Sequence, residues 1–212
     1  SDCYKRQVTA YVTPNDVVES GEIEANYFQH LPYMDSFNKE KGYHLVSFAC
    51  IHIEPLAVYS KRYSDLAGIP DGATVAIPND PTNEGRALLL LQSAGLIELE
   101  DKASLTAVPS DITKNAKNLK FREIEAATLP RVLADVDAAV INGNYALPAG
   151  LNASKDGLFV EGADSPYVNV HFTKDGKQAS ATLKALAAAV QSQKVKDYIA
   201  ETYGNGEVVA VF

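Results

Sequence analysis

Apolar residues recur along the chain with two different spacings, one typical of strands and the other typical of helices. Continuous or alternating apolar runs predict β-strands, and apolar positions that recur every three or four residues predict α-helices. Strands are predicted at residues 23–28, 44–53, 73–77, 120–126, 137–141, 158–160 and 168–173. Helices are predicted at residues 16–20, 29–41, 81–94, 179–190 and 194–203, and another begins within 129–133. Asn15 is predicted to be the N-cap of the first of these helices. Strands that alternate with helices favour α/β layering around mostly parallel sheets.

Two extended segments, near Tyr59 and near Val168, divide this series of elements. They separate a central block from an outer block that is made from both ends of the chain. Residues 60–166 are therefore predicted to form one lobe, and residues 1–59 together with 167–212 the other. A chain of 212 residues fits either one large domain or two small lobes.

Residues 76–86, AIPNDPTNEGR, join a predicted strand to a predicted helix. Asp80 or Thr82 can cap this helix, and Pro81 is tolerated in its first turn. The backbone N–H groups at such a helix start favour a bound carboxylate or phosphate. Arg86 lies about one turn further on, and its planar guanidinium suits a bidentate contact with a carboxylate. The alternative is a capped surface helix with a solvated arginine.

The composition argues against several classes of function. A net charge of −8 and scattered basic residues disfavour nucleic acid or an anionic membrane surface as a partner. The two cysteines, Cys3 and Cys50, and the four dispersed histidines show no metal-binding spacing, so that no metal and no cofactor is expected. No window approaches the ~20 apolar residues of a membrane helix. Motifs of serine hydrolases, zinc proteases, P-loop NTPases and dinucleotide-dependent enzymes are also missing, so that an enzyme is not expected.

Six separate motifs occur in the chain in a fixed order. They are YVTPN at residues 11–15, EANYFQHLPY at 24–33, HIEPL at 52–56, IPNDPTN at 77–83, VINGNYA at 140–146 and SPYVN at 165–169. Together they resemble the MetQ/NlpA family of bacterial substrate-binding lipoproteins, which deliver methionine to an ABC importer. The resemblance extends from about Tyr11 to Phe212 and implies a two-lobed type II periplasmic-binding-protein fold, with the two crossing segments as its hinge.

The resemblance also implies the partners and the location of the protein. The expected ligand is L-methionine, and the alternatives are a related small amino acid or a methionine-containing dipeptide. The expected protein partners are the permease subunits of the importer, and the chain itself is expected to be a monomer. It would act in the cell envelope, in the periplasm or at the outer face of the cytoplasmic membrane. A cytosolic ligand-sensing domain of a transcription regulator can share the fold, but no basic helix-turn-helix precedes it in this sequence.

A free amino acid offers a carboxylate, an ammonium and a side chain to its binding site. Arg86 and the helix start near Asn83 are predicted to hold the carboxylate. Asn144 and Asn169 can bracket the ammonium and the carboxylate, because an amide both donates and accepts hydrogen bonds. Asn142 is a further candidate for this role, although a strand end with two asparagines can also be a simple turn.

The outer block is predicted to supply a slot for the side chain of the ligand. Aromatic faces suit the polarisable thioether of methionine. The slot residues are Tyr11, Phe28, His30, Tyr33 and His52. Taken singly, the aromatic residues could be ordinary core residues and His30 a helix-start histidine, but the motif matches favour the pocket.

Residues 1–10 depart from the pattern of the family. Members of the family usually begin with a lipid-attachment signal and a first strand-helix-strand unit. The first lobe is therefore expected to lack its first strand-helix unit, and residues 1–10 are not expected to contain the signal and lipid-attachment segment of the family. Since an interior strand supplies two hydrogen-bonded edges, we expect this lobe to be less stable than the central block.

Overall fold

The computed structural model describes residues 11–162 and 165–212. The expectations about residues 1–10 fall outside the described residues. The strands of the described residues are β1 (Ala25–His30), β2 (Leu45–Ile53), β3 (Ala57–Tyr59), β4 (Thr74–Pro78), β5 (Glu98–Leu99), β6 (Ile112–Lys114), β7 (Lys120–Ile124), β8 (Ala138–Ile141), β9 (Gly157–Val160), β10 (Asn169–Lys174) and β11 (Val209–Ala210). Its α-helices are α1 (Thr13–Glu19), α2 (Leu31–Lys41), α3 (Pro81–Ser93), α4 (Leu129–Val132), α5 (Gly143–Ala146), α6 (Ala153–Asp156), α7 (Ala181–Val190) and α8 (Gln193–Thr202). Single 3₁₀ turns occur at Pro109–Asp111, Ala126–Thr128 and Leu147–Ala149.

The chain is divided into two compact units. Unit 1 contains the chain up to Ile53, Pro166–Glu201 and Ala210–Phe212, and unit 2 contains Glu54–Ser165 and Thr202–Val209. The chain enters unit 2 at Glu54 rather than at residue 60, because β3 pairs with β8 and β9 of unit 2. That these units are two lobes that close on a ligand stays a prediction.

Unit 1 is built on a four-stranded sheet with the strand order β1-β10-β2-β11. β10 is antiparallel to its two neighbours, β1 and β2. It places Asn169 opposite His30 on β1 and opposite His52 on β2. α1 and α2 contact this sheet, and a buried cluster of Val18, Met34, Leu45 and Phe172 forms its core. The expected N-cap of α1, Asn15, is wrong: Asn15 lies inside the helix, is buried and donates a hydrogen bond to Gln29 Oε1 at 2.9 Å.

Unit 2 is built on a five-stranded sheet with the order β7-β4-β8-β3-β9. β4 is parallel to β7 and β8, whereas β3 is antiparallel to β8 and β9. α3 packs against the unit 2 core through Ala87, Leu88 and Leu91, all of them fully buried. A Cβ on Gly85 would lie 2.5 Å from the carbonyl oxygen of Leu105, so a glycine is needed for the close approach of that loop to α3.

None of the helices within residues 11–162 and 165–212 combines the length and the apolar character that crossing a bilayer requires.

Candidate ligand-binding site

The start of α3 has the predicted capping geometry. Asp80 is the N-cap, and its Oδ2 accepts hydrogen bonds from the backbone N of Asn83 at 3.1 Å and from Asn83 Nδ2 at 2.8 Å. Pro81 occupies the first turn, as is usual for a residue that lacks an N–H. Burial raises the pKa of the Asp80 carboxyl, although the bonds from Asn83 oppose this shift. The cap therefore fixes both the backbone and the side chain of Asn83.

Arg86 lies six residues after the N-cap Asp80, and its side chain is buried. It is 3% exposed, so the alternative of a solvated surface arginine is wrong. Its Nε donates to Glu161 Oε1 at 2.9 Å, its Nη2 donates to Glu161 Oε2, and Nη2 also donates to the carbonyl oxygen of Glu54 at 2.9 Å. These bonds hold the guanidinium in one orientation, as a carboxylate anchor requires.

Asn83 and Asn142 are brought together by the parallel pairing of β4 with β8. The helices that follow these two strands begin at the same edge of the sheet, which is where ligands of α/β proteins commonly bind. Asn142 Nδ2 donates to Asn83 Oδ1 at 2.9 Å, and both residues are buried. The Oδ1 atom of Asn142 is buried without a hydrogen-bond partner in the described part of the chain. A buried acceptor of this kind suits a donor supplied by a ligand.

Asn144 lies two residues beyond Asn142, on α5, and is exposed. Gly143 separates the two asparagines, and the side chain of Glu54 lies against it: a Cβ on Gly143 would be 3.2 Å from Glu54 Oε2. Glu54 therefore lies beside this strand end, and its carbonyl oxygen binds Arg86.

A buried carboxyl group lies between Asn83 and Arg86 in the first turns of α3. Burial in the first place, and then the neighbouring Glu123 carboxyl, raise the pKa of Glu84 to about 8. Glu84 is consequently protonated for the most part at neutral pH, so it adds little negative charge to this helix start.

Four of the five predicted slot residues lie together in unit 1. The ring of Tyr11 lies 6.1 Å from that of Phe28 and 5.9 Å from that of Tyr33, and Phe28 and Tyr33 are 6.1 Å apart. His30 caps α2, where its Nδ1 accepts from the backbone N of Tyr33 at 3.1 Å. This cap explains why α2 begins at Leu31 and not at residue 29.

His52 lies apart from these four residues but in the same sheet. Asn169 pairs with His30 on one side and with His52 on the other, and directly opposed positions of a sheet share a face. Tyr27 contacts His52, with a hydrogen bond between its hydroxyl and His52 Nδ1. Asn169 thus lies between His30 and His52 in the sheet of unit 1.

The sequence reasoning missed three residues near these candidates. Glu161 and Glu54 hold Arg86 in unit 2, and in unit 1 the ring of Tyr167 packs edge-on against His30 at 4.9 Å. Tyr167 is part of the SPYVN motif and Glu54 of the HIEPL motif, so both stood in stretches that had already been singled out. The only signal for Glu161 was a lone charge directly after the apolar run at residues 158–160.

In the described ranges, no group of three histidine, cysteine, aspartate or glutamate side chains is arranged to hold a metal ion. The polar groups of unit 2 instead comprise a cation, amide groups and carboxylates, and the aromatic groups of unit 1 offer apolar faces. These are the functional groups that recognise a small zwitterion with an apolar side chain.

Comparison with known proteins identifies relatives over nearly the whole chain. The family model described as NlpA lipoprotein matches residues 5–212. Membrane lipoprotein TpN32 of Treponema pallidum (strain Nichols) is 46% identical over 202 residues, which cover 95% of this chain and 75% of that protein. D-methionine-binding lipoprotein MetQ of Salmonella typhi is 46% identical over 200 residues, which cover 93% of this chain and 74% of that protein.

A solved structure of a nutrient binding protein from Burkholderia cenocepacia bound to methionine matches with a TM-score of 0.93 and 46% identity. The match covers 97% of this chain and 86% of that one. The α/β fold of a substrate-binding lipoprotein, which the six motifs implied, is thereby confirmed.

Proposed function

Since this chain belongs to the NlpA lipoprotein family, we propose that it is the substrate-binding component of an ABC importer and that its substrate is methionine. The observation that carries the proposal is the buried Arg86, oriented by the Glu161 carboxylate and the Glu54 carbonyl oxygen and placed six residues after the N-cap of α3. This arrangement provides a cation, held in one orientation near the start of α3, for the carboxylate of an amino acid. The role of the protein is binding and not catalysis.

Each unit would supply one part of the recognition. In unit 2, Arg86 and Asn83 bind the carboxylate, and the Oδ1 atom of Asn142 accepts a hydrogen bond from the ammonium. Asn144 of unit 2 and Asn169 of unit 1 complete the polar contacts. In unit 1, the thioether contacts the aromatic slot formed by Tyr11, Phe28, His30, Tyr33 and His52. Contacts between sulfur and aromatic rings contribute ~0.3–1.5 kcal/mol each.

The partners follow from this role. The protein is an envelope lipoprotein of the kind its relatives represent, and it hands its ligand to the permease subunits of the importer. We propose further that it acts as a monomer, since one chain carries both the cationic and the aromatic residues.

Isothermal titration of the 212-residue protein tests the substrate. L-methionine, D-methionine, a methionine-containing dipeptide and L-glutamate are titrated separately at pH 7, and one methionine is expected to bind each chain. The two enantiomers are included because relatives carry the name D-methionine-binding lipoprotein. Binding of the dipeptide alone would move the proposal to that alternative, and binding of neither methionine nor the dipeptide would contradict it.

A further inference from the structure

Arg86 already has a carboxylate partner of its own. The guanidinium and the Glu161 carboxylate form a bidentate ion pair whose side chains are 4% and 14% exposed. A cation that is paired in this way carries no net charge to offer an incoming anion. The ligand site of unit 2 is therefore not simply a positive site.

Glu161 is fixed as firmly as the arginine. Its Oε2 accepts from the backbone N of Leu56 at 3.2 Å, and its own backbone N donates to the carbonyl oxygen of Leu56 at 2.8 Å. A ligand carboxylate that displaced Glu161 would break these contacts and leave a buried carboxylate unpaired, which is costly. The ligand carboxylate must therefore bind Arg86 while Glu161 stays in place.

Two carboxylates on one guanidinium repel each other unless another positive charge is present. The α-ammonium of an amino acid supplies that charge, whereas a carboxylic acid without an ammonium does not. A second carboxyl group, that of Asp80, lies at the N-cap of the same helix. The electrostatics of this helix start thus favour a zwitterion over an anion.

We infer that Glu161 determines specificity: by pairing with Arg86 it makes the site accept net-neutral α-amino acids and reject carboxylic acids that lack the ammonium. This inference rests on the proposed function and names the feature of the substrate that the site selects. At the effective dielectric constant of a protein, a neighbouring unit charge changes affinity on the order of tenfold to a hundredfold.

The test compares L-methionine with its isostere 2-hydroxy-4-(methylthio)butanoate, which has a hydroxyl in place of the ammonium. The ratio of the two Kd values is measured by titration for the unaltered 212-residue protein and for Glu161→Gln. We expect the preference for methionine to fall tenfold or more in the variant, because the repulsion of the anion is removed. Glu98→Gln is the matched control, since Glu98 forms an exposed ion pair with Lys114 at 2.7 Å and should leave the ratio unchanged.

A ratio that stays within twofold in Glu161→Gln, even if both affinities fall, would show that Glu161 only supports Arg86 and would overturn the inference. Glu161→Asp keeps the charge on a shorter side chain and should retain the preference for methionine. If circular dichroism shows that Glu161→Gln does not fold, the ratio of the two Kd values is compared in the unaltered protein and in Glu161→Asp instead. Binding of the hydroxy acid within threefold of methionine overturns the inference, and a preference of tenfold or more in both proteins supports it. Absence of methionine binding to the unaltered protein would contradict the proposed function instead.

Discussion

Replacing Arg86 with alanine removes the anchor of the proposed site and exposes how much depends on it. Arg86 is buried and makes three hydrogen bonds to Glu161 and to the Glu54 carbonyl oxygen. The substitution leaves the largely buried Glu161 carboxylate without its partner. Breaking a buried pair in this way costs about 3–5 kcal/mol of unfolding free energy. Since domains are typically stable by about 5–15 kcal/mol, the variant is expected to fold, with a lower urea midpoint.

The same substitution removes the positive charge from the ligand carboxylate. Loss of one partner of a desolvated charge pair costs about 2–5 kcal/mol in binding, which is roughly 30-fold to several-thousand-fold in Kd. Isothermal titration with methionine measures this loss under conditions in which the variant is folded. A change in Kd of less than threefold in a folded variant would show that Arg86 does not contact the ligand.

Arg62→Ala provides the matched control for both measurements. Arg62 lies in unit 2 and pairs with Asp137 at 3.1 Å, but its side chain is 45% exposed. Exposed pairs contribute about 0–1 kcal/mol, so this variant should lose little stability and bind methionine normally. An equal loss of affinity in Arg62→Ala would mean that the effect at Arg86 is a general effect of lowering the charge or stability of unit 2.

Two further predictions concern the support of α3. Burial raises the pKa of Glu84 in the folded protein from 4.5 to about 8, so its contribution to stability is complete below pH 4.5 and is lost as the pH rises through 8. The unfolding free energy of Glu84→Gln should therefore depend less on pH between 5 and 9 than that of the unaltered protein. An equal dependence on pH for the two proteins, measured by urea unfolding, would contradict this. Gly85→Ala should lower the unfolding free energy by about 1–3 kcal/mol, because its Cβ would lie 2.5 Å from the Leu105 carbonyl oxygen. Gly162→Ala is the control and should be nearly neutral, because no atom lies within 4 Å of its Cβ. Equal urea midpoints for the two variants would refute the steric argument.

The elements that the sequence predicted well are those whose signals are local. α3 was predicted from a capping residue, a proline in the first turn and a continuous apolar face, and all of these lie within fourteen or so residues of one another. Its observed range, Pro81–Ser93, ends one residue before the predicted end. The N-cap of α1 was predicted wrongly, because Asn15 lies inside the helix and its side-chain amide donates to Gln29, on a strand of unit 1, and does not cap its own helix.

The parts of the candidate site that the sequence did not predict depend on contacts between distant positions. Glu161 is 75 residues from Arg86, and no periodicity links a glutamate at the end of a short strand to an arginine in a helix. The orphaned oxygen of Asn142 and the raised pKa of Glu84 likewise arise from burial, which only the packed structure defines. The motif resemblance located the candidate residues, and the structure added the charge partners that orient them.

The claim that this protein captures methionine is tested most directly by the ligand that it carries. The 212-residue protein is produced in cells, purified under native conditions and unfolded, and the released small molecules are identified by mass spectrometry against Arg86→Ala prepared in parallel. The expected result is methionine in near-stoichiometric amount from the unaltered protein and little from the variant. Release of a different amino acid or of a dipeptide in stoichiometric amount, with methionine absent, would contradict the claim.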